Sequence, residues 1–289
     1  MNDSDQFSKL NHAAAFELPQ FAELRKPKLR VEGVTRAFIT PNGSSVTALE
    51  HISLEVRPGE FLCVVGPSGC GKSTLLNLMA GLDTPTAGEI FLDGRRVDGP
   101  GTGLSVIFQD LGLFPWLTVI QNVEFGLKMQ GLPRGTRRKR AREYLRLVHL
   151  SQFEDSYIHQ LSGGMKQRVA LARSLATEPQ VLFMDEPFAA LDAQTRDLMH
   201  EELERVWKET GQTIVFVTHN VREAIRLGDR VMLLTFRPGR VKHVFPVILE
   251  RPRHLEDPEL ALTAREILAL LKEEIFKSVE EEYQHAKKD

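Results

Sequence analysis

The nine residues Gly66 to Thr74, GPSGCGKST, constrain this chain more than any others. They fit the pattern G-x-x-x-x-G-K-[ST], follow the continuously apolar run Glu60 to Val65 (EFLCVV), and lead into a helix-compatible stretch, Thr74 to Ala80. A strand, a glycine turn and a helix in that order form a cradle for phosphate. Gly66, Gly69 and Gly71 let the backbone wrap closely around an anion, and Pro67, Ser68, Cys70, Ser73 and Thr74 complete the loop. Its N–H groups point inward, while the helix starting near Lys72 offers the positive end of its dipole to the same anion. Lys72 is expected to reach the β and γ phosphates of ATP, and the Ser73 hydroxyl to ligate Mg²⁺. A buried strand feeding a helix belongs to the parallel α/β folds, so the loop fixes the fold class as well as the ligand.

The surrounding pattern extends that core. Leu104 to Phe108, Val181 to Met184, Thr213 to Val217 and Val231 to Thr235 read as further buried strands of a parallel sheet. Upstream, alternation over Leu29 to Val34 and at Ile52, Leu54 and Val56 predicts antiparallel strands with one buried face. Between Gln109 and Leu161 the apolar positions take helical spacing, as at Tyr144, Leu145, Val148 and His149, which predicts an inserted helical subdomain over about residues 110–165. Residues 1–28 read as a loose, polar extension, and residues 29–255 as one domain. Within residues 256–289, a stripe from Pro258 onward through Leu260, Ala264, Ile267, Leu268, Leu271, Ile275, Val279 and Tyr283 predicts a long amphipathic helix.

Composition narrows the setting. The chain has 289 residues, 42% hydrophobic and 26% charged, and no apolar run near the ~18 residues that span a bilayer. The N-terminal stretch lacks a basic region followed by an apolar core, so the protein is expected on the cytoplasmic side, with any membrane association peripheral. Cys63 and Cys70 have neither metal-ligand spacing nor a disulfide framework and are expected as reduced thiols. The formal net charge of −2 gives no general attraction to nucleic acid, and the basic run Arg137 to Arg142 reads as a solvated helix face.

A second set of residues completes a nucleotide-hydrolysing site. In VLFMDEP, Asp185 ends an apolar strand and Glu186 follows it, placing one carboxylate near Mg²⁺ and the other as candidate general base. The stretch His159 to Arg168, HQLSGGMKQR, resembles the signature motif of the ABC (ATP-binding cassette) ATPases. Ser162 is a good helix N-cap and Gly163 and Gly164 permit close approach, so the helix start is an anion site. The resemblance implies that this site binds the γ-phosphate of ATP held by a second copy of the chain, in a head-to-tail homodimer. It further implies that residues 29–255 are an ABC ATPase domain: a parallel core, an antiparallel β subdomain and an α-helical subdomain. Gln109 (VIFQD) resembles the Q-loop glutamine that touches Mg²⁺ and the attacking water. Ala189 to Asp192 (AALD) resembles the D-loop, with alanine where serine is common. His219 (VTHN) resembles the switch histidine at the γ-phosphate, and Phe38 (VTRAF) the aromatic that stacks on adenine.

Three classes of ABC function compete: transporter motor, soluble ATPase, and regulatory module without turnover. One cassette without a coiled-coil or zinc insertion argues against the soluble types, and Glu186 with His219 argues against a module without turnover. The segment DLGLFPWLTVIQNV resembles the region where importer cassettes receive a transmembrane permease, with Trp116, Leu117 and Val119 as candidate docking residues. Together with FRPGR (Phe236 to Arg240) it resembles the nitrate, sulfonate and taurine importers, in which a separate binding protein selects the solute. The expectation is therefore an ATPase subunit of an importer.

Overall fold

The computed structural model describes residues 26–101, 103–253 and 257–286. The extension expected over 1–28 lies almost entirely outside the described residues. Ten strands are described: β1 (Leu29–Ile39), β2 (Ser45–Val56), β3 (Phe61–Val65), β4 (Ala87–Leu92), β5 (Arg95–Arg96), β6 (Leu104–Ile107), β7 (Val181–Asp185), β8 (Thr213–Val217), β9 (Arg230–Leu234) and β10 (Val241–Pro246). The seven described α-helices are α1 (Lys72–Met79), α2 (Val119–Met129), α3 (Arg134–Leu147), α4 (Gly163–Ala176), α5 (Ala193–Thr210), α6 (Val221–Leu227) and α7 (Pro258–Ala286).

The strands form two sheets. One has the order β10-β9-β3-β8-β7-β6, parallel throughout except for β10 at its edge, and the other is the antiparallel β2-β1-β4-β5. The continuous apolarity of the parallel strands has a geometric cause, since successive side chains leave opposite faces and both faces are covered. Phe61, Cys63 and Val65 join one buried cluster, with the helices α2 to α6 and the start of α7. Leu62 and Val64 join the other, with α1 and the antiparallel sheet.

The long segment between β6 and β7 holds α2, α3 and α4, which pack on one another through Val119, Ile120, Val123, Leu127, Ala141, Leu145 and Val169. Val119, read from the sequence as a docking candidate, is a core residue here. The reason is its position at the first turn of α2, on the same helix face as Val123 and Leu127, which packs into the core. Among the described residues no helix is long and apolar enough to cross a membrane.

Candidate active site

Register brings the functional segments together. In the parallel sheet Val64 of β3 pairs with Val217 of β8, and Val217 pairs with Asp185 of β7. Three adjacent strands therefore end at one level, and from their ends emerge the phosphate loop, Thr218–His219 and Asp185–Glu186. Crevices beyond the carboxyl ends of parallel strands are where ligands bind in such sheets.

A cleft of about 710 Å³ lies there. Ser68, Gly69, Gly71, Lys72, Ser73 and Thr74 form one wall, Glu186 and His219 another, and Phe38 a third. Gly71 caps α1 with φ 97°, and a Cβ on it would stand 2.7 Å from Leu49 Cδ2, so the turn admits only glycine. Lys72 is buried and its Nζ donates to the Gly66 and Pro67 carbonyls at 3.0 and 2.9 Å. Pro67 has no N–H to offer an anion; its carbonyl seats the lysine. Cys70 contributes backbone only, because its side chain is packed in the core beneath the loop. Phe38 is 40% exposed, with the Arg36 guanidinium 4.6 Å from its ring centroid.

Glu186 and His219 meet directly, His219 Nδ1 lying 2.8 Å from Glu186 Oε2. Glu186 has φ 44°, a left-handed conformation that costs a non-glycine residue about 1–3 kcal/mol. Its surroundings hold it there: its N–H donates to the Val217 carbonyl at 2.9 Å, and Gln167 Nε2 of the signature helix α4 donates to the Pro187 carbonyl at 2.6 Å. Behind His219, Thr218 Oγ1 donates to Glu223, whose other oxygen lies 2.6 Å from His200 Nε2, all of them buried.

Asp185 stands beside the cleft. Burial pushes its carboxyl above the usual range; a bond from the Ser73 hydroxyl opposes that, the Glu186 charge adds to it and Lys72 opposes it. Its Oδ1 is buried without a hydrogen-bond partner. Among the described residues no group of three or more His, Cys, Asp or Glu could cage a metal. An orphaned carboxylate oxygen beside a hydroxyl at the phosphate cradle fits Mg²⁺, which takes one or two protein oxygens together with substrate phosphates and water.

The remaining sequence candidates lie elsewhere. Gln109 follows β6, at the outer edge of the sheet, and is exposed outside the cleft lining. Ser162 caps α4, its Oγ accepting from Met165 N at 3.3 Å; Ser162 and Gly163 face solvent and Gly164 is buried, a Cβ there standing 3.0 Å from Thr195 Cγ2. Asp192 caps α5 by accepting from Thr195 N at 3.0 Å, and that backbone bond is the first of the contacts that hold its carboxyl below the usual range. Sequence reasoning passed over four cleft residues, Thr40, Val46, Ala48 and Arg237. Arg237 was visible only as part of the FRPGR string.

Comparison with known proteins identifies the family and the fold. The family profile described as ABC transporter matches residues 49–189. The nitrate import ATP-binding protein NrtD of Synechocystis sp. is 48% identical over 253 residues, covering 84% of this chain and 95% of that protein. The taurine import ATP-binding protein TauB of Burkholderia pseudomallei is 50% identical over 214 residues, 74% of this chain and 82% of that protein. A dimeric ATP-binding cassette solved in a post-hydrolysis state with ADP and Pi superposes with a TM-score of 0.67 at 33% identity, covering 77% of this chain and all of that one. The chain belongs to the ABC transporter ATP-binding family and is an ATP-binding, ATP-hydrolysing cassette with the fold of that family.

Proposed function

We propose that this cassette hydrolyses MgATP as half of a head-to-tail homodimer and drives solute uptake through a membrane permease of the nitrate, sulfonate and taurine type. The observation that carries the reading is the convergence of Lys72, Ser73, Glu186 and His219 on one cleft, while the N-terminus of α4 with Ser162 stands outside it. In this reading Lys72 and the α1 N-terminus bind the β and γ phosphates, Glu186 takes the proton of the attacking water, and His219 orients Glu186 and stabilises charge on the γ-phosphate. Ser73 and Asp185 hold Mg²⁺, which when bound neutralises phosphate charge. Gln109 reaches the site from the sheet edge, and Ser162, Gly163, Gly164 and Asp192 serve the partner's nucleotide.

Transport coupling is supported by the surface after Gln109. Arg173 of α4 donates to the carbonyls of Leu111 and Gly112, both at 2.6 Å, fixing the start of this segment. Phe114 lies 5.5 Å from Trp116 and 4.5 Å from Phe125 between ring centroids, and Trp116 is 70% exposed. Exposed aromatics on a fixed scaffold suit a permease helix, and with such a partner the cassette would sit at the cytoplasmic face of the membrane. Solute choice rests with a separate binding protein in this reading, which is compatible with relatives named for two different solutes, nitrate and taurine.

Glu186→Gln tests the reading. The expected variant binds ATP, hydrolyses it ~10² to 10⁴ slower and accumulates as an ATP-dependent dimer in size-exclusion chromatography. Hydrolysis at the parent rate would overturn the general-base assignment.

A further inference from the structure

The loop joining β9 to β10, residues 236–240, forms a wall of the cleft that the motifs above do not explain. Arg237 lines the cleft, and its Nε donates to the Gly69 carbonyl of the phosphate loop at 3.0 Å. The guanidinium packs so closely on Gly69 that a Cβ there would stand 2.9 Å from Arg237 Nη2. Its neighbour Arg240 is neutralised by Glu50. Arg237 is exposed and makes no ion pair among the described residues, so its charge faces the anion site uncompensated. A guanidinium held at Nε keeps donors on both terminal nitrogens, the fork that suits a phosphate.

The loop is pinned from two sides. Toward β2, Gly239 N donates to Ala48 O and Glu50 N donates to Gly239 O, both at 2.9 Å. Contact there is tight enough that a Cβ on Gly239 would fall 2.2 Å from the Cys70 carbonyl. From behind, Phe236 N donates to Glu274 Oε2 at 2.8 Å. Glu274 belongs to α7 and is 1% exposed, and its second oxygen accepts from Lys242 at 2.8 Å and Lys277 at 2.7 Å. Three donors satisfy both oxygens of this covered carboxylate, so the residue next to Arg237 is anchored to the C-terminal helix by a specific contact.

We propose that Arg237 is a phosphate ligand of the bound nucleotide and that Glu274 is its positioning residue, so that α7 sets nucleotide affinity through loop 236–240. The inference rests on the reading of the cleft as the nucleotide site. It gives the C-terminal helix a function: a displacement of α7 at Glu274 is felt at Arg237, one residue from the bonded Phe236 amide.

Equilibrium binding of MgADP, MgATP and adenosine to the full chain tests it, with Arg237→Ala, Arg237→Lys, Glu274→Gln, Lys72→Ala and the Arg237→Ala/Glu274→Gln double variant. Arg237→Ala should weaken both nucleotides about 10- to 100-fold and leave adenosine unchanged, with lysine restoring part of the loss. Glu274→Gln keeps the shape of the side chain and removes its charge; it should weaken MgADP several-fold in the parent and not at all in Arg237→Ala. Parent-like MgADP binding by Arg237→Ala overturns the ligand assignment if Lys72→Ala binds poorly in the same assay. Parent-like binding by both overturns the reading of the cleft as well. An equal loss from Glu274→Gln in both backgrounds overturns the positioning role, because a purely structural effect adds.

Discussion

Cys70 stands in the middle of the phosphate loop, in the stretch expected to wrap around phosphate. The structure turns it into the core below, and Cys63 lies in the strand that feeds the loop, both fully buried. Burial pushes both thiols above their ordinary range, and the neighbouring Lys72 offsets only part of this at Cys70. Thiolate is the reactive form, so a raised pKa means that at pH 7.5 both remain protonated and inert. Native protein should take up no N-ethylmaleimide over minutes and about two equivalents after denaturation; rapid labelling of the native chain would refute the burial argument. Residue identity was legible wherever a motif couples it to a neighbour in sequence, as for Lys72 and Ser73 or for Asp185 and Glu186. It was not legible for Gln167, which holds Pro187 across twenty positions, or for the His200–Glu223–Thr218 network behind His219. Those contacts depend on which helices face each other, and nothing in the local string records that.

Among the elements, the parallel strands were readable because burial on both faces leaves an unbroken apolar run, and the start of α4 because Ser162 is a residue type that accepts from the first turn; Thr118, Asp192 and Asn220 cap helices in the same way at starts the sequence pattern did not single out. The C-terminal helix shows where periodicity stops informing. Its stripe predicts one continuous apolar face, yet Leu260, Ala264, Ile267 and Leu271 are buried while Leu268, Ile275, Val279 and Tyr283 are exposed. A stripe tells which face of a helix is apolar and cannot tell how far the surface beneath it extends; here the last buried residue of the described helix is Glu274. The two halves should therefore differ in energy. Ile267→Ala, at a fully buried position, should cost about 2–5 kcal/mol. Val279→Ala, 55% exposed, should stay within about 0.5 kcal/mol. Urea-denaturation midpoints decide this, and equal losses would mean the distal half is covered as firmly as the proximal one.

For the whole molecule, the separation between the phosphate cleft and the N-terminus of α4 is the feature with the largest consequence. The cleft holds Lys72, the candidate base Glu186 and His219, while Ser162 and Gly163 point to solvent at a helix start whose N–H groups and dipole favour an anion. A chain that hydrolysed ATP alone would leave that anion site without a use, whereas two chains arranged head to tail would complete two sites from four incomplete halves. Mixed variants distinguish these cases. Lys72→Ala removes the nucleotide-binding half of a site and Ser162→Arg blocks the signature half, so each alone should be inactive. In a heterodimer of the two, one composite site carries both lesions and the other carries neither. Mixing the inactive proteins at equal concentration should therefore restore single-turnover hydrolysis in up to about half of the dimers, one intact site in each, by random pairing. If each chain worked on its own nucleotide without its neighbour, Ser162→Arg, whose lesion lies outside the cleft, would hydrolyse ATP by itself, and mixing it with Lys72→Ala would add nothing.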